Sequence, residues 1–268
     1  MIKRIINKLG VYKTYSLQVG NKQFKVPIHK GLGFTHFADS EPWMDEVLKK
    51  LGSHDCKFLD IGVNVGQTLL KWKALFPDSN YVGFEPNRGC VDYVEDLISK
   101  NNLNSCKIYP YGLSTTKEKT KLYLLGNDPG DSSATTIENF RENENRHSIE
   151  IETIPLSSID DNSFDVIKID VEGAELEVLK SIFEVPGTPV ITCEVLPVYS
   201  SDNIERLNRQ NAIATLLSQH DYQIYRIIKH EKISIEKLDS FDVHGDLSKS
   251  DYIFLPKSKQ SVILAKFN

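Results

Sequence analysis

From residue 57 onward the chain repeats one unit, a short apolar run followed by an amphipathic stretch of helical length. Runs at 57–61, 81–85, 106–109, 164–170 and 189–194 read as strands. Apolar residues between them recur at helical spacing. Val91, Val94, Leu97 and Ile98 mark one such face, and Val178, Leu179, Ile182 and Phe183 mark another. Apolar strands separated by helices imply a mainly parallel sheet covered on both faces, because each crossover must pack back over the sheet. The expected class is therefore α/β. Helices are also expected at about 66–76 and 203–219, and strands at 222–228 and 251–255 would finish the sheet as neighbours across a loop. That makes seven strands. Segments 121–125 and 149–155 read as an inserted pair, separated by a polar stretch of which 139–147 is the most loop-like part.

Before this alternation the pattern differs. Tyr15, Leu17 and Val19 alternate with polar residues, as do Phe24, Val26 and Ile28 after the Gly20-Asn21 turn, so a hairpin is expected. Asp39-Ser40-Glu41-Pro42 reads as a helix start leading into 43–51. Residues 1–52 are thus expected to form a hairpin-and-helix extension packed on a core domain of 53–268. Met1-Ile-Lys-Arg-Ile-Ile-Asn-Lys-Leu9 is basic and amphipathic, without the apolar centre or cleavage site of a secretory signal. It reads as a terminal helix packed on its own domain, with weak peripheral contact to an anionic membrane as the alternative.

Charge and cysteine usage narrow the function classes. Lys and Arg number 32 against 37 Asp and Glu, a net charge of −5, and no basic tract stands out. Nucleic acid is not expected as a partner, since phosphate binding needs clustered cations. Cys56, Cys90, Cys106 and Cys193 form no CxxC pair, which points to free thiols in a reducing cytoplasm rather than a zinc site or disulfide framework. No apolar run is long enough to span a bilayer.

Two strand-to-helix turns carry the chemistry. Phe164-Asp-Val-Ile-Lys-Ile-Asp-Val-Glu-Gly-Ala-Glu-Leu-Glu-Val-Leu-Lys180 delivers Lys168, Asp170 and Glu172 to a strand end before turning into a helix at Gly173. Carboxylates are costly to bury without partners, and ligands bind at the carboxyl ends of strands in open α/β sheets. Phe58-Leu-Asp-Ile-Gly-Val-Asn-Val-Gly66 places Gly62 and Gly66 where the chain must turn tightly and admit a ligand to its backbone. Gly66 opens a helix whose free amides favour an anion such as a carboxylate. Glu85, at the end of the next strand, can accept hydrogen bonds from both hydroxyls of a ribose. The spacing is not GxGxxG, and Asp60 suits an ammonium or sulfonium better than phosphates. S-adenosylmethionine has both cations and a ribose. The bland alternative is an ordinary glycine turn, with Glu85 capping a helix before Pro86.

These segments, with Val82-Gly-Phe-Glu-Pro-Asn87, Leu113-Ser114 and Ile167-Lys-Ile-Asp-Val-Glu-Gly-Ala-Glu-Leu-Glu-Val-Leu179, resemble the FkbM family of S-adenosylmethionine-dependent methyltransferases. The resemblance covers about 57–194. It implies a Rossmann-like methyltransferase fold, with Asp60, Gly62, Asn64 and Gly66 around the methionine part of the cofactor and Glu85 on the ribose. Leu113 joins this cofactor-binding set. Val63 stands where the family usually has Ala, and Thr115 where an acidic residue commonly follows the Leu-Ser pair, so the adenine contact is left open. Family members mostly methylate hydroxyl oxygens on sugars, polyketides and related metabolites.

A hydroxyl needs a base within hydrogen-bond reach, or a metal, to become a nucleophile. Asp170 and Glu194, on strands expected to be adjacent, are the best-placed candidates, with Glu172 close by. Lys168 and Asp170 share one face of the strand about 6.6 Å apart, so Lys168 offsets the crowded acids. The same groups would also make a structural ion-pair network. Three carboxylates can hold Mg²⁺, but no metal is expected. In the inserted region Ser132 and Ser133 are candidate hydrogen-bond donors to a polar acceptor, in a loop that equally makes an ordinary turn. His36 and His147 are weaker candidate bases, and Trp43 is a core residue or a cover for the cleft. The leading reading is a cytoplasmic O-methyltransferase acting on a hydroxyl of a sugar, glycan or related small metabolite. A nicotinamide-dinucleotide oxidoreductase and a non-catalytic nucleoside-binding module are the alternatives.

Overall fold

A computed structural model describes residues 13–28, 31–37, 41–125, 130–131, 133–137 and 146–267. The helix expected at Met1 to Leu9 and the candidate Ser132 lie outside these residues. The extension contains the expected hairpin, β1 (Lys13–Val19) and β2 (Lys22–Ile28), paired antiparallel around Gly20-Asn21 with Gly20 at φ +54°. Phe24, Val26 and Ile28 are its buried face. Helix α1 (Pro42–Leu51) buries Met44, Val47, Leu48 and Leu51, one stripe at helical spacing.

The alternation then begins with β3 (Phe58–Ile61), α2 (Gln67–Leu75), β4 (Tyr81–Phe84), α3 (Arg88–Lys100) and β5 (Cys106–Tyr109). The insertion follows as β6 (Gly112–Leu113), β7 (Glu118–Leu125) and β8 (Arg146–Ile154). The alternation resumes with β9 (Val166–Ile169), α4 (Glu175–Phe183), β10 (Val190–Glu194) and α5 (Ile204–Gln219). It closes with β11 (Tyr222–Lys229), β12 (Ile233–Leu238), β13 (Asp251–Pro256) and α6 (Gln260–Leu264). The main sheet runs β12-β11-β13-β10-β9-β3-β4-β5. Its five strands from β10 to β5 are parallel, while β13, β11 and β12 are antiparallel.

This is the expected Rossmann-like fold with helices on both faces, carrying eight strands instead of seven. The extra strand is β12, an edge strand in which Glu236 and Lys237 interrupt the apolar pattern; charge on an edge discourages further pairing. Strands β11 and β13 are neighbours, as expected. The inserted pair is antiparallel, and β6 joins it to make a separate three-stranded sheet.

Two cores sandwich the main sheet. Phe58, Tyr81 and Val166 pack with α1, α2 and α3 on one face. Leu59, Ile61, Ile167 and Ile169 pack with α4 and α5 on the other. Because side chains alternate across a strand, Asp60 and Lys168 point to the first face. They are also register partners on β3 and β9. The chain runs from β3 to β4 and β5 in one direction, then returns to β9 and β10 in the other. A crevice is therefore expected at the carboxyl ends of β3 and β9, where both conspicuous turns lie.

Candidate active site

A cavity of about 300 Å³ occupies that crevice. The loop after β3 forms one wall. Gly62, Asn64 and Gly66 all adopt positive φ, at +88°, +49° and +83°. A side chain at Gly62 is impossible, since a Cβ there would lie 1.9 Å from the Asp170 carbonyl oxygen. The amides of Gly62 and Val63 both donate to the Phe84 carbonyl, and Gly66 N donates to Val63 O. Gly62, Val63 and Asn64 line the cavity, whereas Gly66 turns into the contact with Leu97 and Val94 of α3.

Glu85 sits at the end of β4 beside this loop. Its Oε2 accepts from Asn64 N at 2.7 Å and its Oε1 from Asn87 N at 2.8 Å. A carboxylate has about four acceptor positions, so each oxygen keeps capacity for a further donor from the cavity. Burial pushes the Glu85 pKa up to about 7 although both amide bonds favour the charged form. Leu113, with Gly112 and Ser114, lines the cavity farther along, where β6 meets β8. Glu118, Thr120 and Leu122 of β7 and Thr153 of β8 extend the wall, so the inserted sheet covers this end.

The turn after β9 makes the opposite wall and is tied from three sides. Glu172 has φ +50°, a left-handed conformation uncommon for a residue with a side chain. Thr135 Oγ1, from the inserted segment, donates to the Glu172 carbonyl at 2.6 Å. Arg209 of α5 donates to the Gly173 carbonyl at 2.7 Å and holds the Glu177 carboxylate with the same guanidinium. Gly173 N donates to the buried Glu175 carboxylate. The helix starts at Glu175, two residues later than expected, because Glu172 and Gly173 are spent on the turn.

Asp60 does not reach the cavity. It is fully buried beneath Lys168, whose Nζ lies 3.4 Å from Asp60 Oδ1 and 3.2 Å from Asp170 Oδ2, and Tyr81 OH donates to its other oxygen. The expectation that Asp60 faces the cationic part of a ligand is corrected accordingly. One residue short of the strand end, it points to the helix-covered face, and Lys168 neutralises it there. Burial opposes the Lys168 charge, but Asp170, Asp60 and Glu41 outweigh it and hold the ammonium protonated. Of the carboxylates expected to act, Asp170 and Glu172 line the cavity, whereas Glu194 lies in an adjoining small pocket with Glu41 and Asp251. Burial, then the charges of Asp170, Asp251, Glu172 and Glu41, raise the Glu194 pKa.

Other residues fall differently from expectation. Ser133 donates from N and Oγ to Asp131 and is not among the residues lining the cavity. His147 is exposed on β8, and Trp43 lies under Lys229 Nζ, 4.2 Å from its ring centre, at the edge of the small pocket. Glu41, Thr135 and Arg209 were not singled out by the sequence. Glu41 was legible only as part of a helix start, and nothing local marks Thr135 or Arg209. Among the described residues no cluster of His, Cys, Asp and Glu could hold a metal ion. No described helix is long and apolar enough to cross a membrane.

A family model, the methyltransferase FkbM domain, matches residues 60–224, more than half of the chain. A curated relative, methyltransferase sdnD of Sordaria araneosa, is 27% identical over 155 residues, which are 47% of this chain and 60% of that protein. A solved methyltransferase FkbM from Methylobacillus flagellatus KT is 17% identical with TM-score 0.45, covering 76% of this chain and 44% of that one. An O-methyltransferase from Bacillus cereus, solved in complex with SAH, is 11% identical with TM-score 0.47, covering 82% and 83% of the two chains. The chain thus spans less than two thirds of the curated relative and of the solved FkbM protein.

Proposed function

Because the chain belongs to the FkbM methyltransferase family, we propose that it transfers the methyl group of S-adenosylmethionine to a hydroxyl oxygen of a sugar, glycan or related small metabolite. The observation that carries the reading is Glu85, whose two oxygens each take one backbone N–H and keep acceptor capacity toward the cavity. A vicinal diol is the matching donor pair. The donor set fits the cofactor. Glu85 would hold the ribose, the loop of Gly62, Val63 and Asn64 would hold the methionine part, and Leu113 with Ser114 would flank the base. Asp60 acts behind the site by fixing Lys168.

The cofactor supplies a methyl carbon already activated on a sulfonium, so the protein's task is to position, desolvate and deprotonate the acceptor. Asp170 takes the proton of the acceptor hydroxyl, and Lys168 Nζ at 3.2 Å holds that carboxylate in place. Glu172 orients the acceptor from the neighbouring position of the same turn. Glu194, set in the adjoining small pocket, does not compete as the first base.

Charge in the cavity supports a neutral or cationic acceptor. Glu85, Glu118, Asp131, Asp170, Glu172 and Glu177 are among its lining residues, and the lining cations Lys168 and Arg209 are already ion-paired. A phosphate-bearing acceptor would be repelled. Thr120, Thr136 and Thr153 add hydroxyls suited to a polyol. Incubation with S-adenosylmethionine and a panel of neutral glycans, amino sugars and sugar phosphates, read by mass spectrometry, tests the reading. The expected result is a gain of one CH₂ on a hydroxylated, non-anionic compound. Methylation confined to nitrogen or to sugar phosphates would overturn it.

A further inference from the structure

The loop 62–66 has three of its five residues at positive φ, Asn64 between the glycines Gly62 and Gly66, and glycine's conformational freedom means that the loop's neighbours must fix its shape. Its first half is tied to the core domain through Phe84 O and Glu85. Its second half is tied to the N-terminal extension. His36, buried in the short helical turn Phe34–Phe37, lies with Nε2 at 3.0 Å from Val65 O. A carbonyl can only accept, so Nε2 carries the proton. The next residue back contributes as well: Thr35 O accepts from Gln67 Nε2 at 3.4 Å, and Gln67 lines the cavity.

The imidazole is itself held in place. Its ring stacks on Tyr93 at 6.2 Å, and Tyr93 OH donates to Pro27 O at 2.9 Å. Gly33, at φ +93°, brings the chain so close that a Cβ would lie 2.2 Å from that same Pro27 oxygen. His36 does not line the cavity, and burial pushes its pKa down to about 4, which removes it as a general base at neutral pH. Val65 is also buried, so without His36 its carbonyl would lose a partner where water is scarce.

We propose that His36 is a positioning residue of the cofactor site. By donating from Nε2 to Val65 O, it holds the loop in the shape that presents Gly62, Val63 and Asn64 to S-adenosylmethionine. The segment 31–37 is then part of the binding machinery, not merely a cover for the core. The inference rests on the cofactor reading given above.

The test is calorimetric titration of the full chain with S-adenosylhomocysteine, alongside thermal unfolding. His36→Gln places an amide N–H at comparable reach, and His36→Asn stops short of Val65. Expected is affinity within about twofold of wild type for His36→Gln and about five- to tenfold weaker for His36→Asn. Asn101→Ala removes the bonds between the end of α3 and Lys25 of the extension without touching the loop or His36, so it should lower the unfolding temperature and leave affinity within about twofold. Equal affinities for His36→Asn and wild type would overturn the proposal. So would an equal loss for Gln and Asn, or a loss in Asn101→Ala as large as in His36→Asn. If wild type takes up no S-adenosylhomocysteine the cofactor reading fails as well, which separates the two failures.

Discussion

Lys168→Met tests the arrangement beneath the site most sharply. Lys168 Nζ lies 3.4 Å from a carboxylate oxygen of Asp60, which is fully buried, and 3.2 Å from Asp170. Two unit charges at that separation attract by about 5 kcal/mol at an effective dielectric constant of about 20. Removing one partner leaves Asp60 charged without compensation, or forces it to take up a proton. Breaking a buried pair in this way costs about 3–5 kcal/mol, whereas replacing both partners by neutral groups costs much less. Urea unfolding at neutral pH should therefore show Lys168→Met about 3–5 kcal/mol less stable than wild type. The Asp60→Asn/Lys168→Met double variant should recover at least about half of that loss. The deficit of the single variant should shrink as pH falls, because burial already raises the Asp60 pKa and protonation relieves the orphaned charge. A loss below about 1 kcal/mol, or a double variant no more stable than the single one, would refute the view that Lys168 and Asp60 form one structural unit.

Further outcomes follow from the same geometry. Asp170→Asn should abolish methyl transfer while S-adenosylmethionine affinity by calorimetry stays within about threefold, since the proposed base faces the acceptor. Glu172→Gly should fold with stability within about 1 kcal/mol of wild type, because glycine accepts φ +50° freely, whereas Glu172→Val should be clearly less stable by thermal unfolding. Thr135→Val, which removes the donor to the Glu172 carbonyl at nearly constant volume, should cost about 1 kcal/mol in urea unfolding. Glu175 is buried, with a pKa pushed up from 4.5 to about 7 by burial, so the folded protein retains a proton there that the unfolded chain has released. Stability should fall as pH rises through that window. The upper limit of this contribution is about 3 kcal/mol, and Glu175→Gln should flatten the fall between about pH 4.5 and about pH 7 by part of that amount.

What the sequence made legible was whatever depends on local pattern. The short apolar runs Phe58-Leu-Asp-Ile and Val166-Ile-Lys-Ile located β3 and β9, and the turns after them were marked by Gly62 and Gly173. The register of β3 against β9 then puts Asp60 and Lys168 on one side of the sheet. Which side α1 and α2 cover is a tertiary fact, so Asp60 was read as reaching a ligand when it is sealed beneath Lys168 and Tyr81. Gly66 was rightly placed in the turn, but its bare backbone serves the contact with Leu97 rather than the cavity wall. Arg209 and Thr135 lie 36 and 37 positions along the chain from the carbonyls they hold, with nothing local to betray the contact. Strand β12 escaped because an edge strand needs only one apolar face, and Glu236 and Lys237 make it resemble a loop.

Glu85 is expected to hold the ribose of the cofactor from the end of β4. Calorimetric titration of wild type and Glu85→Gln with S-adenosylmethionine measures that directly, because glutamine keeps the side chain's shape and replaces an acceptor oxygen by a donor. Saturable one-site binding by wild type, weakened at least about tenfold in a Glu85→Gln variant that remains folded, is the predicted result. Absence of binding by wild type, or equal binding by the two proteins, would contradict it.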